Sequence, residues 1–431
     1  KFLLTIKNIL LSDAEIPTTR QSKDYLYGLR GLLAIESFCW LFLQAFVPTV
    51  VSSRTSGPMY QIVARNMFSV PLWNESLIYS FFIILSARSV CMHFLQEPTA
   101  KSFARSLIVR PLRIGIPLAF ALASSISLFS FIDKSYIETA AKILDNPNLT
   151  APRMPATALA SFNTAWDLLW ITSDFAKQMA NQAFPGASIW VPSLIYSQSY
   201  TVYIAMVILP FTRVSWHLQA VAIFSIGSFW FNSWGWYSAA GLLVADISHY
   251  PSLRACLDRG IKFNDDTSFS YRTLAVISVL VGLVMKYVWV AAFPQHLRAE
   301  LLVHPSQHLS SVSSAHPDQP FARLDDYLVV VGVLVLLETS NRMQNIFSSR
   351  ILVGLGKRSL SLYIAQSLML YTVALDVLVL LGERHMSVVW AETVAFVVYL
   401  CSTAVSGEVF YRLVEQPATW VAEFLFNWSR K

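Results

Sequence analysis

The sequence is poor in charge. Of its 431 residues only 13% are Asp, Glu, Lys or Arg, against 55% hydrophobic. A soluble domain carries about 25% charged residues, so an ordinary water-facing surface is excluded. Cysteine is scarce as well. Cys39, Cys91, Cys256 and Cys401 lie far apart, three in apolar runs and one in a basic loop, with no Cys-x-x-Cys spacing. That argues against a disulfide framework and a zinc site, and no metal is expected. The 15 glycines form neither Gly-x-Gly-x-x-Gly nor a P-loop, which argues against a nucleotide-driven machine. No internal repeat, heptad run or low-complexity tract stands out. Histidine, the usual general base, sits clearly in mid-span at none of its eight positions, and no Ser-His-Asp spacing is present.

What the chain does have is long apolar runs, with a mean hydropathy of +0.50. About 20 apolar residues cross a bilayer, and runs of that kind recur from end to end. Spans are expected at 31–51, 77–94, 112–131, 193–211, 217–234, 237–247, 273–293, 327–337, 360–381 and 388–410. A long connection over 132–189 carries Trp166 and Trp170, and a polar loop over 294–325 is rich in His, Ser and Pro. Residues 1–11 alternate lysines with apolar residues, as a helix lying on a membrane surface does. The expectation is an all-α polytopic integral membrane protein of about ten transmembrane helices, in the plasma membrane or an endomembrane. Residues 1–28 form a cytosolic or interfacial lead, 29–417 the transmembrane domain and 418–431 a cytosolic tail.

Charge sets the orientation. With both termini cytosolic, most of the 32 Lys and Arg fall on the cytosolic side. The net charge of +6 then reports basic cytosolic loops and membrane lipids, not nucleic acid. Two sequons, Asn74-Glu75-Ser76 and Asn148-Leu149-Thr150, fall outside, and Asn427-Trp428-Ser429 falls inside.

Polar groups at membrane depth are costly, so they are candidates for function. The first span opens on Arg30 and holds Glu36 and Gln44. At 100° per residue Glu36 lies about 120° from Arg30, whereas Gln44 returns to within about 40° and about 21 Å higher. Arg30 and Gln44 therefore share one polar seam, or else Arg30 snorkels to headgroups and Gln44 bonds a neighbouring helix. Arg105, Arg110 and Arg113 precede the third span, and Arg110 and Arg113 are i, i+3 neighbours. Two such guanidinium forks suit phosphates, and equally a positive cluster against anionic lipid. Arg88, Gln198, Asp246, Lys286, Gln366, Asp376, Glu392 and Glu408 are further polar groups within spans.

These pieces together resemble the membrane-bound acyltransferase 3 family, in its fungal-like branch. Tyr27-Gly28-Leu29-Arg30-Gly31-Leu32-Leu33-Ala34 is similar to the family's opening motif. Phe81-Phe82-Ile83-Ile84-Leu85-Ser86 is similar to its Phe-Phe-x-x-Ser-Gly stretch, with Ala87 for Gly. Arg110-Pro111-Leu112-Arg113 resembles its Arg-x-x-Arg segment. Leu355-Gly356-Lys357-Arg358-Ser359-Leu360-Ser361-Leu362-Tyr363 resembles its penultimate-span motif, and Glu415-Gln416-Pro417 its closing Glu-x-Pro. The matches run in order over nearly the whole chain.

The resemblance implies transfer of an acyl group from cytosolic acyl-CoA, as co-substrate, to a hydroxyl on a glycan, lipid or metabolite. With it, Arg105, Arg110, Arg113 and Ser86 become the candidates for binding acyl-CoA, and Arg30 and Gln366, together with the span's own polar groups Glu36 and Gln44, the candidates for the catalytic seam. The sequence also departs from the family. The first-span His expected eleven residues after the arginine is Leu41, and the His after the penultimate-span Tyr is Gln366. The Glu usual before the fourth span has no counterpart in Trp190-Val191-Pro192-Ser193-Leu194-Ile195-Tyr196. Leucine neither takes nor gives a proton, so two other readings stay open. One is a catalytically inactive accessory subunit or lipid-binding scaffold, with a membrane-protein partner or a second copy. The other is a transporter using Asp246, Lys286 and Asp376.

Overall fold

The structure, a computed structural model, describes residues 24–51, 57–170, 175, 178–208, 211–250, 261–264, 267–304 and 320–430. The expected surface helix over 1–11 and Cys256 lie outside the described residues. The described chain is helical apart from one antiparallel hairpin, Ile261–Asn264 with Thr267–Phe269. That short hairpin is a local addition to an architecture that is all-α as expected. The helices are α1 (Asp24–Phe46), α2 (Met59–Leu72), α3 (Glu75–Gln96), α4 (Ala100–Phe131), α5 (Ser135–Ile143) and α6 (Ala158–Trp170). They continue with α7 (Trp190–Ile208), α8 (Val214–Trp230), α9 (Gly235–His249), α10 (Tyr271–Tyr287), α11 (Leu324–Thr339) and α12 (Arg350–Lys357). The last are α13 (Ser359–Met369), α14 (Leu375–Glu383), α15 (Val388–Phe410) and α16 (Gln416–Trp428).

Six helical stretches are long and apolar enough to cross a membrane: Asp24–Phe46, Met59–Gln96, Ala100–Phe131, Tyr271–Ala292, Ser359–Glu383 and Val388–Trp428. A polytopic membrane protein follows from these six. The other expected spans are shorter helices. At 1.5 Å per residue, the 15 residues of α9 and 16 of α11 cover about 22–24 Å, less than a hydrocarbon core of about 30 Å. Twelve of the 15 residues of α9 are buried, enclosed by α3, α7, α8 and α11.

One stretch differs from expectation. The first span stops at Phe46 rather than running to 51, because the chain breaks at Val47 before Pro48. The buried amide of Asn146 donates to the Gln44 and Ala45 carbonyls, at 2.9 Å each, satisfying acceptors that the helix end leaves open. Most of the stretch 418–431 lies in α16, joined to α15 through the π-helical turn Tyr411–Glu415 and packed on α4.

Between apolar helices in lipid, association depends on close van der Waals fit, since lipid tails are as apolar as leucine. Here α1 meets α12 backbone to backbone. A Cβ on Gly31 would lie 2.1 Å from the Leu352 carbonyl oxygen, and one on Gly356 would lie 1.7 Å from that of Tyr27. No other residue type fits at either point. The motif around Arg30 and the motif around Gly356 are thus clasped together, more than 300 residues apart in the chain. On its other flanks α1 joins two apolar cores. Phe38 stacks on Tyr399 of α15 with centroids 4.3 Å apart, and Leu29 and Leu33 pack in a cluster with Ile83, Ile84 and Leu337. The first span is the shared wall of the bundle.

Candidate functional site

Arg30, Ser37 and Gln44 recur every seven residues on α1, which returns them to nearly the same face. They look into the seam between α1, α3, α7 and α13, where two cavities lie end to end. The first, about 430 Å³, is lined by Arg30, Ser86, Arg105, Arg110, Arg113 and Lys357, with Arg88, His93, Glu415 and Glu423 also on its walls. The second, about 520 Å³, is lined by Ser37, Gln44, Glu75, Tyr79, Arg298, Arg323 and Tyr363, among apolar and aromatic residues. A third, about 580 Å³, contains Leu41, Asn146, Asn148, Arg153 and Gln182 and shares Gln44, Gly186 and Ala187 with the second.

The partition between the first two cavities is one helical turn thick. On three helices the residues lining them are four apart: Phe82 and Ser86 on α3, Val191 and Ile195 on α7, Tyr363 and Ser359 on α13. Phe82 meets Tyr363 edge to face, with centroids 6.4 Å apart. The Tyr363 hydroxyl donates to the Ser188 carbonyl at 2.7 Å, which holds the ring across the seam.

The electrostatics of the first cavity depend on how its arginines are bonded. Arg110 donates from Nε to Ser199 Oγ at 2.7 Å and from Nη2 to Ser86 Oγ at 2.5 Å. Arg30 donates to Ser89 Oγ at 3.1 Å. Among the described residues neither guanidinium has a carboxylate at ion-pair distance. Hydroxyls satisfy donors but carry no charge, so the positive charge here is offset only in part, by Glu415, which faces Arg30 and Arg113 without pairing with either. Arg113 and Lys357 add to that positive charge. Two arginines on the same walls differ. Arg105 pairs with Glu423 of α16 and has Nη1 at 2.9 Å from His93 Nε2. Arg88 pairs with Glu338 at 2.6 Å, and the other oxygen of Glu338 accepts the Tyr25 hydroxyl at 2.8 Å. Glu415, in the π-helical turn, accepts from Ser361 at 2.5 Å.

Against the second cavity stands a cluster of five buried charged groups. Lys286 Nζ lies 2.6 Å from Asp326 and 3.6 Å from Asp325, and also donates to Ser76. Arg323 lies 2.6 Å from both Glu300 and Asp325. Glu300 Oε1 further accepts the backbone N–H of Leu324 at 2.6 Å, capping α11 from another segment. These groups tie α3, α10, α11 and the 3₁₀ segment Pro294–Val303 into one block.

The expected site residues thus separate. Arg30, Arg105, Arg110, Arg113 and Ser86 meet in the first cavity, while Gln44 belongs to the second and third. Glu36 is half-buried and lines none of the three, because it lies off the Arg30 face. Gln366 is buried and donates to Ser37 Oγ at 2.7 Å, so it joins α13 to α1 and does not reach the arginines. The position of Glu36 follows from the 120° that separates it from Arg30 on the helix, and that of Gln366 from its bond to Ser37. Leu41 is buried and lines the third cavity. Of the transporter residues, Lys286 is locked in its ion pairs, Asp376 is exposed, and Asp246 lies 3.9 Å from His217 on the far side of α3. None of the three lines any of the three cavities above. The expected sequon at Asn74 is built into the fold: its side chain accepts from Leu77 N at 3.2 Å and caps α3. Sequence reasoning missed Lys357, Glu415 and Glu423 as cavity walls, although the first two sit inside quoted motifs. It also missed Glu75, whose only signal was its place in a sequon.

Comparison with protein-family models, with curated proteins and with solved structures finds no match. Among the described residues no cluster of three or more His, Cys, Asp or Glu is arranged to hold a metal.

Proposed function

We propose that the chain is a multi-pass membrane acyltransferase that moves an acyl group from acyl-CoA to a hydroxyl acceptor on a glycan, lipid or metabolite. In this reading the chain crosses the bilayer ten times with both termini cytosolic, and the basic cavity opens to the cytosol. The observation that carries it is the meeting of Arg30, Arg110 and Arg113 in one cavity, with Arg30 and Arg110 held by serines and not by carboxylates. Buried like charges repel one another, and a polyanion such as the phosphates of CoA relieves that repulsion while accepting forked hydrogen bonds. The seam then leads from this anion site, past Phe82 and Tyr363, to a second cavity able to hold an acceptor.

The test is binding of CoA and turnover of acetyl-CoA by the purified protein in detergent or nanodiscs. Binding that weakens in Arg110→Ala and Arg113→Ala supports the reading, and absence of both binding and turnover overturns it. The second reading, an inactive scaffold, draws on the apolar Leu41 and on the Gln366–Ser37 bond that occupies the position of the family's base. CoA binding without turnover, together with a stoichiometric partner in purification, favours that reading.

A further inference from the structure

Acyl transfer to a hydroxyl needs a group that takes the hydroxyl proton as the new bond forms. Leu41 has no such chemistry, and Gln366 is engaged with Ser37. Among the described residues, the cavity beyond the Phe82–Tyr363 partition is lined by one carboxylate. That carboxylate is Glu75, and no other described Asp or Glu and no described His lines the cavity. The neighbouring acids are committed elsewhere: Asp325, Asp326 and Glu300 are ion-paired to Lys286 and Arg323. Among the described residues no hydrogen bond or ion pair engages the Glu75 carboxylate. Its side chain is exposed although it stands inside the bundle, because it faces the cavity.

We propose that the second cavity is the acceptor site and that Glu75 is the general base that deprotonates the acceptor hydroxyl; this rests on the acyltransferase reading. Glu75 begins α3, and Ser86 on the same helix holds Arg110 in the basic cavity, about 16 Å along the axis. In this proposal a CoA whose phosphates sit with the arginines extends its arm along α3 past the Phe82–Tyr363 pair, and its thioester meets the acceptor beside Glu75. The hydroxyls of Ser37 and Tyr363 stand on the same walls. The groups that face Glu75 electrostatically are Lys286 from α10, Tyr363 from α13 and Tyr79 one turn along α3, with Arg298 and Arg323 on the cavity wall.

The step balances. The acceptor O–H proton passes to the Glu75 carboxylate while the oxygen bonds to the thioester carbonyl carbon. The C–S bond then breaks, and the departing CoA thiolate takes the proton back from Glu75. Ester and free CoA thiol leave, and the carboxylate is regenerated.

The experiment compares wild type, Glu75→Gln and Glu75→Asp in nanodiscs with acetyl-CoA, using water, glycerol and glucose as acceptors and reading thiol release. Glu75→Gln is expected to lose about 10²–10⁴-fold in turnover. Its CoA binding and melting temperature stay unchanged, and the acidic limb of its pH–rate profile disappears. Glu75→Asp recovers part of the rate. Glu75→Gln turning over within about twofold of wild type overturns the inference, since a base contributes far more than that. A parallel fall in melting temperature for both variants overturns it too, by showing a structural role. Wild type that neither binds CoA nor turns it over overturns the acyltransferase reading itself.

Discussion

The two ends of the seam both bury cations, and they bury them in opposite ways. At one end Lys286 and Arg323 are surrounded by three carboxylates at hydrogen-bonding distance. At the other, Arg30 and Arg110 are held by the hydroxyls of Ser86, Ser89 and Ser199. Removing an ion from water costs several kcal/mol, which only a well-formed counter-charge offsets. The first arrangement meets that cost internally and so belongs to the structure. The second leaves part of it for something outside the chain to meet. Arg88 and Arg105 show that this is local to Arg30 and Arg110, because on the same walls those two have Glu338 and Glu423.

This contrast is open to experiment at several points. Lys286→Ala takes from Asp326 its nearest cation and leaves it only Arg323 at 3.7 Å, and breaking a buried pair in this way costs about 3–5 kcal/mol. Melting in detergent should fall steeply, whereas Lys286→Met with Asp326→Leu should melt closer to wild type than Lys286→Ala. At the basic end Arg110→Ala removes charge from a repulsive cluster, so its melting temperature should hold. Its CoA affinity should fall about 10- to 100-fold in a titration, the equivalent of a charged hydrogen bond of about 1.5–3 kcal/mol. A melting loss in Arg110→Ala as large as in Lys286→Ala would erase the distinction between the two ends. Arg105→Ala breaks a partly exposed pair with Glu423 and should cost about 0.2–1 kcal/mol by the same melting assay. Arg412→Ala, on an exposed pair with Glu408, should leave the melting temperature where it is and sharpens the comparison as its control.

Much of the architecture was legible because apolar runs state their own purpose. The helix expected at 388–410 is α15, Val388–Phe410, to the residue. The short helices α9 and α11 were located from the same signal, although their length does not distinguish an interior helix from a membrane span. The arginine set was legible through the order of its motifs. Glu75 was not, since an acid next to a sequon reads as an outer loop until a cavity is seen around it. Gln366 was legible as a polar group, but its bond to Ser37 depends on which face of α13 meets α1.

What the sequence determined by itself is the class: low charge, recurrent apolar runs and arginines at the entrances of spans, all local properties of chain and solvent. What only the tertiary structure decided is the meaning of each charge. Whether a buried arginine is structural or is left for a ligand depends on what stands opposite it, and Glu338 is 250 residues from Arg88. That distance in the chain is closed by contacts such as Gly31 on Leu352, where the absence of a side chain lets two backbones touch. Local sequence carries no record of its partner across such a contact, and so the pairing of charges had to be read in three dimensions.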